Sequence, residues 1–547
     1  MRRQFVDIQL PTEAADGYYM NKQKERVEEF IYIEPEWYEK LFDPNTFYIL
    51  GPKGSGKTLY AAYMCAQIRN NTVSRSHKID VGDYGKLIAM KLANHLSFTD
   101  YMTMWKVILL QKFLFGISAE EITFWKRDRS IKEIHDTISK HFGYDVTDDT
   151  FNPINFIDSC GKQAEVTNYL HGQLGGSLGR TNDLSSATLS SIVEAKEEEK
   201  NTETKDHKVE RVAMIYTDTW MRSINEFKKT LESISFKYNH YLFIDGLDVR
   251  PKEIDAREYS ECIGALVRAI YEINTKLLGN MDRRDGKDFK IIALTRTDIF
   301  LNSELVNVTS CISDNCIELD WTYSNEKEFV YSNLYRMMNR VLGWDGKAKE
   351  LPLEEYFSFK LDIPSVRPIS AAMFIQRQSR LRPRDVVVML NIIQKECKKR
   401  GIPNPDKSVF ASQSFVTAYS KYYADQIKSE MMFQYSSEEI KDIFQLVKMI
   451  RYDTFGENEF ERVFRKYIGS NPRFLKLFPD HRSILNALYS LDMIGWKENY
   501  AGRFNIHWHY REVKAIDETY RMPWERMELA RNVTLLIHKG VSKSVLS

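Results

Sequence analysis

The sequence predicts an α/β fold: a parallel sheet with helices on both faces, followed by a helical lid and a winged-helix module. Three observations predict it. Short apolar runs at Phe47–Leu50, bounded by a glycine turn, at Tyr241–Ile244, ending in an acid, and at Ile291–Leu294, ending in Thr-Arg, fit strands buried on both faces of a parallel sheet. Segments of helical periodicity alternate with these runs, which argues for strand–helix–strand units. Near the C-terminus, residues 435–511 read helix, helix, helix, hairpin.

In chain order, residues 1–45 form a leading helical segment, with a short helix over about Lys22–Ile33 and a second over Pro35–Leu41. The core spans residues 46–325. It opens with the strand Phe47–Leu50, a glycine-rich loop and a helix over Leu59–Arg69. Residues 85–142 have a helical pattern, with Ile88, Leu92, Leu109 and Leu114 at apolar positions. Residues 168–212 turn Gly/Ser/Thr-rich, then densely charged, then apolar again. They read as an exposed insertion, either a β-hairpin with a charged tip near Glu197–Lys208 or a disordered linker. Glu261–Leu278 has helical periodicity between the second and third apolar runs. A helix-rich lid follows over 326–434, and 435–547 forms the winged-helix-like module.

Bulk properties exclude some classes. At 547 residues the chain exceeds what one core usually supports. A net charge of +1 gives no global field that would draw the chain to nucleic acid or a membrane surface. Six scattered cysteines lack paired zinc spacing and read as small core residues in a reducing compartment. The N-terminus has no apolar run of signal-peptide length, and no stretch of about 18 apolar residues suggests a membrane helix. A cytoplasmic location is expected, with no membrane partner.

Gly51-Pro52-Lys53-Gly54-Ser55-Gly56-Lys57-Thr58 fits G-x-x-x-x-G-K-[ST] in full, between a strand and a helix as the motif requires. Its glycines let backbone N–H groups converge on a phosphate, and the following helix adds its positive end. Lys57 would reach the β- and γ-phosphates, and the Thr58 hydroxyl would ligate Mg²⁺. The core is therefore expected to be a P-loop NTPase sheet that binds ATP or ADP with Mg²⁺. Asp245, ending an apolar strand, is the expected metal carboxylate. Asp248 either orients the attacking water or caps the next helix. Arg296, at the tip of the third run, either senses the γ-phosphate or pairs with Asp298 on a surface turn.

In the lid, Arg380-Leu381-Arg382-Pro383-Arg384-Asp385 precedes a helical pattern. Pro383 suits a first turn and Asp385 a helix N-terminus. Arg382 and Arg384 either face the nucleotide or sit on a solvated helix start. In the third helix of the C-terminal module, Ile484, Leu485, Leu488, Leu491 and Ile494 make the buried stripe. The other face offers Asn486, Ser490 and Asp492, with Arg482 at its start, which is poor in the side chains that read a major groove. Residues 441–547 carry eighteen basic and thirteen acidic groups, so DNA is permitted but not favoured. His507 and His509 read as ordinary strand residues on one face, short of a metal site.

The order GPKGSGKT, YLFIDGLD, ALTRTD resembles the signal-transduction ATPases with numerous domains (the STAND class, with NACHT and NB-ARC modules) and their origin-recognition-like AAA+ relatives. More narrowly, the layout is similar to a bacterial P-loop ATPase family with long insertions and a C-terminal winged helix. The motifs cover roughly residues 45–325. The resemblance implies a lid arginine presented to the nucleotide. It also implies a nucleotide-dependent regulatory switch, acting in stress signalling or phage defence as a homo-oligomer or with a partner protein. A DNA-loading or DNA-remodelling ATPase of the origin-recognition type is the alternative. Two departures bear on turnover. Gly246 stands where AAA+ proteins carry a glutamate, and Val249 where NACHT modules add an acid, so slow hydrolysis is expected. A phosphotransferase does not suit the large lid and module, and Leu174-Gly175-Gly176-Ser177 lies too far ahead of Asp245 for a transporter signature.

Overall fold

A computed structural model describes residues 3–12, 15–19, 26–79, 98–125, 224–225, 227–229, 231–232, 234–247, 250, 256–281, 285–301, 303, 308–323, 328–344, 351–362, 368–500, 503–512, 522–529 and 533–541. Asp248, Val249, Cys160 and the 168–212 insertion lie outside the described residues.

The core is a P-loop NTPase sheet of parallel strands: β1 (Tyr48–Leu50), β2 (Thr72–Lys78), β3 (Asn239–Asp245), β4 (Phe289–Thr295) and β5 (Cys316–Glu318). Their spatial order is β2-β3-β4-β1-β5. Side chains alternate across the pleat into separate cores. Tyr48, Leu50, Leu242, Ile244, Ile291 and Ala293 pack on one face beneath α2 (Phe98–Phe115) and α3 (Ala256–Glu272). Ile49, Tyr241, Phe243, Ile292 and Leu294 pack on the other with Tyr60, Ala61 and Met64 of α1 (Lys57–Ala66). This two-faced burial is why β1, β3 and β4 read as continuous apolar runs.

Strands β2 and β5 escaped the sequence reading. They are the outer strands of the sheet; β2 is the mixed sequence Thr-Val-Ser-Arg-Ser-His-Lys, and β5 is only three residues long. Helix α1 stops at Ala66, short of the expected Arg69, because Gln67 is extended and Asn70 and Asn71 turn into the left-handed region at φ 45° and 56°. Within the stretch expected to be helical, Ile122–Trp125 is a strand paired antiparallel with Ile234–Phe236. Its Ile-Thr-Phe-Trp composition suits a pleated surface better than a helix.

The lid contains α4 (Asn333–Val341), α5 (Pro383–Arg400) and α6 (Gln413–Met431). Pro383 occupies the first turn of α5, and Gly401 closes the helix at φ 69°. The C-terminal module has α7 (Ser437–Lys448), opened by a capping box between Ser436 and Glu439, then α8 (Glu457–Ser470) and α9 (His481–Ser490). Its sheet is β6 (Thr454–Phe455), β7 (Ile494–Tyr500), β8 (Arg503–His507) and β9 (Thr534–Ile537), in the order β6-β9-β7-β8. The expected hairpin is β7–β8, and β6 and β9 extend it. One apolar cluster joins Leu334, Leu390, Tyr423, Leu446, Leu488 and Trp496, so lid and module share a core.

Some expectations for the module are corrected. Asp492 is not on an outer face. It is buried, and its carboxylate accepts from the Tyr510 backbone N–H at 3.0 Å. His509 begins a short helix, His509–Glu512, instead of continuing the strand. His507 stacks on Trp496 with centroids 4.0 Å apart. The open face of α9 is covered: Asn486 accepts from Met522 N and Trp524 Nε1, both at 3.0 Å. Arg482 pairs with Glu457 and Glu528 and lies 4.7 Å over the Trp524 ring.

Candidate functional site

The glycine loop lies between the end of β1 and the start of α1, where the sheet's C-terminal edge opens into a cavity of about 240 Å³. Gly56 precedes α1 at φ 101°, a conformation that L side chains rarely adopt, and from there the first N–H groups of α1 point at the cavity. At Gly51 a Cβ would sit 2.6 Å from Ser55 Oγ, so the glycine lets the Ser55 side chain pack against the start of the loop. The Lys57 ammonium donates to Gly51 O at 2.7 Å and Pro52 O at 3.0 Å, which holds it over the loop. The Thr58 hydroxyl donates to Asp245 Oδ2 at 2.7 Å. Residues 187 positions apart thus meet as a hydroxyl–carboxylate pair, the oxygen donor set that suits Mg²⁺.

The neighbouring strand tips complete the floor. β4 lies between β1 and β3, so Thr295 and Arg296 emerge between the loop and Asp245. Arg296 lines the cavity and also pairs with Asp298, in the helix Thr297–Leu301, through Nε at 2.9 Å. Gly246, at φ 89°, turns the chain away from β3, and a Cβ there would stand 2.4 Å from Ile79 O.

The lid separates its two candidate arginines. Arg384 lines the cavity, and its backbone N–H donates to Gly54 O at 3.1 Å, so the start of α5 sits on the loop. Arg382 is not among the described cavity-lining residues. Its guanidinium is buried against Glu430 and lies 3.5 Å from Asp492, because Arg380, Asp385, Glu430 and Asp492 form an internal ion cluster that takes it up. Burial by itself would raise the Glu430 carboxyl, but Arg382 and Arg380 override this and hold it at about 2. Asp492 goes the other way: burial raises it, and His509, Arg382 and Arg380 only partly offset this. Lys53, within the loop, donates to Ser429 Oγ of α6 at 2.6 Å.

Among the described residues lining the cavity, Lys53, Lys57, Lys78, Arg296 and Arg384 are cationic and Asp245 is the one carboxylate. The rest of the lining is largely apolar and aromatic. Tyr32 and Trp37 of the N-terminal segment face Trp321, Val341 and Val387. Trp37 and Trp321 meet edge to face with centroids 5.2 Å apart, and Trp321 Nε1 donates to Ser55 O at 2.9 Å. The lining thus offers cations to a polyanion and aromatic side chains to a flat apolar ring. Sequence reading missed the aromatic wall, because no short motif encodes segments that meet only in the fold. It missed Lys78 because β2 itself was not legible.

No family model matches the sequence, and no curated protein matches it. A solved structure of a variant of RuvB from Thermotoga maritima is matched at 13% identity over 65% of this chain and 95% of that chain, with a TM-score of 0.22. A score that low carries no argument. Among the described residues no helix is long and apolar enough to cross a membrane.

Proposed function

We propose that this chain binds ATP with Mg²⁺ at the Gly51–Thr58 loop, hydrolyses it slowly, and acts as a nucleotide-dependent regulatory switch. The observation that carries this reading is the 2.7 Å contact between Thr58 and Asp245 in a cavity lined by cations and aromatic side chains. Lys57 would bind the β- and γ-phosphates. Thr58 and Asp245 would hold Mg²⁺, which supplies positive charge to the phosphates. Arg296 and Arg384 approach the same end from β4 and from the lid, so a bound triphosphate would tie core and lid together. Slow turnover is supported by Gly246, where the close approach of Ile79 O leaves no room for a carboxylate next to Asp245. The shared core of lid and module would pass lid movement to the C-terminal surface, where further copies or a partner protein would read it.

A DNA-remodelling role is the second reading. The cover of Met522 and Trp524 over Asn486 works against it, since the α9 face that would enter a groove is already occupied.

The test is Asp245→Asn in the full chain. ATP binding should stay within about threefold of wild type while Mg²⁺-dependent hydrolysis falls at least about tenfold, because the carboxylate acts mainly on the transition state. Hydrolysis at the wild-type rate would remove Asp245 from the metal site.

A further inference from the structure

We propose that Lys78, at the tip of β2, binds the γ-phosphate and thereby makes the site distinguish ATP from ADP. This deepens the nucleotide-binding reading above and rests on it. Strand β2 runs parallel to β3 with Lys78 in register with Asp245, and just beyond it Ile79 N–H donates to Asp245 O at 2.9 Å. The lysine is thereby fixed beside the carboxylate that faces Thr58, and it lines the same cavity. Gly246 clears its path: a Cβ at that position would lie 3.2 Å from Lys78 Cγ. The residue after Asp245 is therefore reduced to backbone, and the stem of a cation occupies the space alongside.

Strand order decides which phosphate the ammonium can reach. Adjacent strands are about 4.8 Å apart, so the tip of β3 is within the span of a lysine's four-carbon stem. The loop over β1 is three strand spacings from β2, roughly 14 Å. Phosphates cradled by Gly51–Lys57 over β1 are out of range, and the outermost phosphate, reaching toward Asp245, is within it. Lys57 approaches the polyphosphate from the loop and Arg296 from β4. Lys78 approaches from the β2 side, where the described lining offers no other cation.

The experiment is calorimetric titration of Mg·ADP and of a non-hydrolysable Mg·ATP analogue into the full chain, its Lys78→Met and Lys78→Arg variants, and Lys57→Ala. In Lys78→Met the analogue should bind at least about tenfold more weakly, the size of one lost charge-assisted hydrogen bond, while ADP stays within about twofold. Lys78→Arg keeps the charge and should retain most of the preference, which also guards against a folding defect in Lys78→Met. Equal weakening of both nucleotides would make Lys78 a structural residue of the strand tip and overturn the proposal. No change in either would overturn it as well. If the wild type binds neither nucleotide, or Lys57→Ala binds both as the wild type does, the site reading itself fails, a result distinct from failure at Lys78 alone.

Discussion

Replacing Glu430 with glutamine would remove one charge from the buried ion cluster that joins the lid to the C-terminal module. Side chains of Arg380, Glu430 and Arg382 are 1%, 6% and 9% exposed, so solvent cannot compensate the guanidinium groups left behind. Removing one partner of a buried pair costs about 3–5 kcal/mol. Asp385 and Asp492 remain nearby, and the glutamine carbonyl still accepts hydrogen bonds, so the lower end, about 3 kcal/mol, is expected. Linkage gives a matching figure. Glu430 is held at about 2 in the folded chain against an ordinary 4.5, which corresponds to about 3 kcal/mol at neutral pH. A depressed carboxyl stabilises the fold above its unfolded pKa, and that contribution is lost as pH falls from 4.5 toward 2. Asp492, raised by burial, has the opposite pH dependence. Urea unfolding followed by tryptophan fluorescence should show the variant less stable by about 3 kcal/mol at pH 7, narrowing toward about 1 kcal/mol near pH 3. A difference below about 1 kcal/mol at pH 7, or one independent of pH, would refute the reasoning.

Two further outcomes are expected. Gly246→Ala should destabilise the chain by at least about 2 kcal/mol in the same unfolding assay, since the positive φ strains any L side chain and the new Cβ meets Ile79 O; an unchanged urea midpoint would contradict this. The full chain should show no sub-micromolar, sequence-dependent binding to a mixed-sequence duplex by fluorescence anisotropy at about 150 mM salt, where non-specific binders have dissociation constants of roughly 10⁻⁴ to 10⁻⁶ M. Binding of that kind would promote the DNA-remodelling reading.

The legible parts of the sequence were those in which local chemistry and fold agree. The glycine loop and the apolar runs of β1, β3 and β4 could be read because a strand buried on both faces tolerates little else. The start of α5 was marked by Pro383. The outer strands β2 and β5 were hidden, since Thr72–Lys78 has almost no apolar pattern and β5 is only the three residues Cys316–Glu318. Arg382 and Arg384 could not be told apart in sequence because both belong to one basic run. The partners that separate them, Glu430 and Asp492 for the first and the loop carbonyl of Gly54 for the second, arrive from distant segments. Asp492 reads as an exposed helix-end acid, and only its arginine and backbone partners explain its burial. The aromatic wall of Tyr32, Trp37 and Trp321 assembles from residues with no shared motif.

The most direct test of nucleotide binding is calorimetric titration of Mg·ATP into the full chain and its Lys57→Ala variant under identical conditions. The Lys57 side chain lies over the loop and donates to the Gly51 and Pro52 carbonyls, so its removal takes a positive charge from the phosphate site. The wild type should bind one equivalent, and the variant should bind at least about tenfold to a hundredfold more weakly, as loss of a charge-assisted phosphate contact requires, with an unchanged unfolding midpoint. Equal affinity in the two proteins would contradict the assignment of Gly51–Thr58 as the phosphate site.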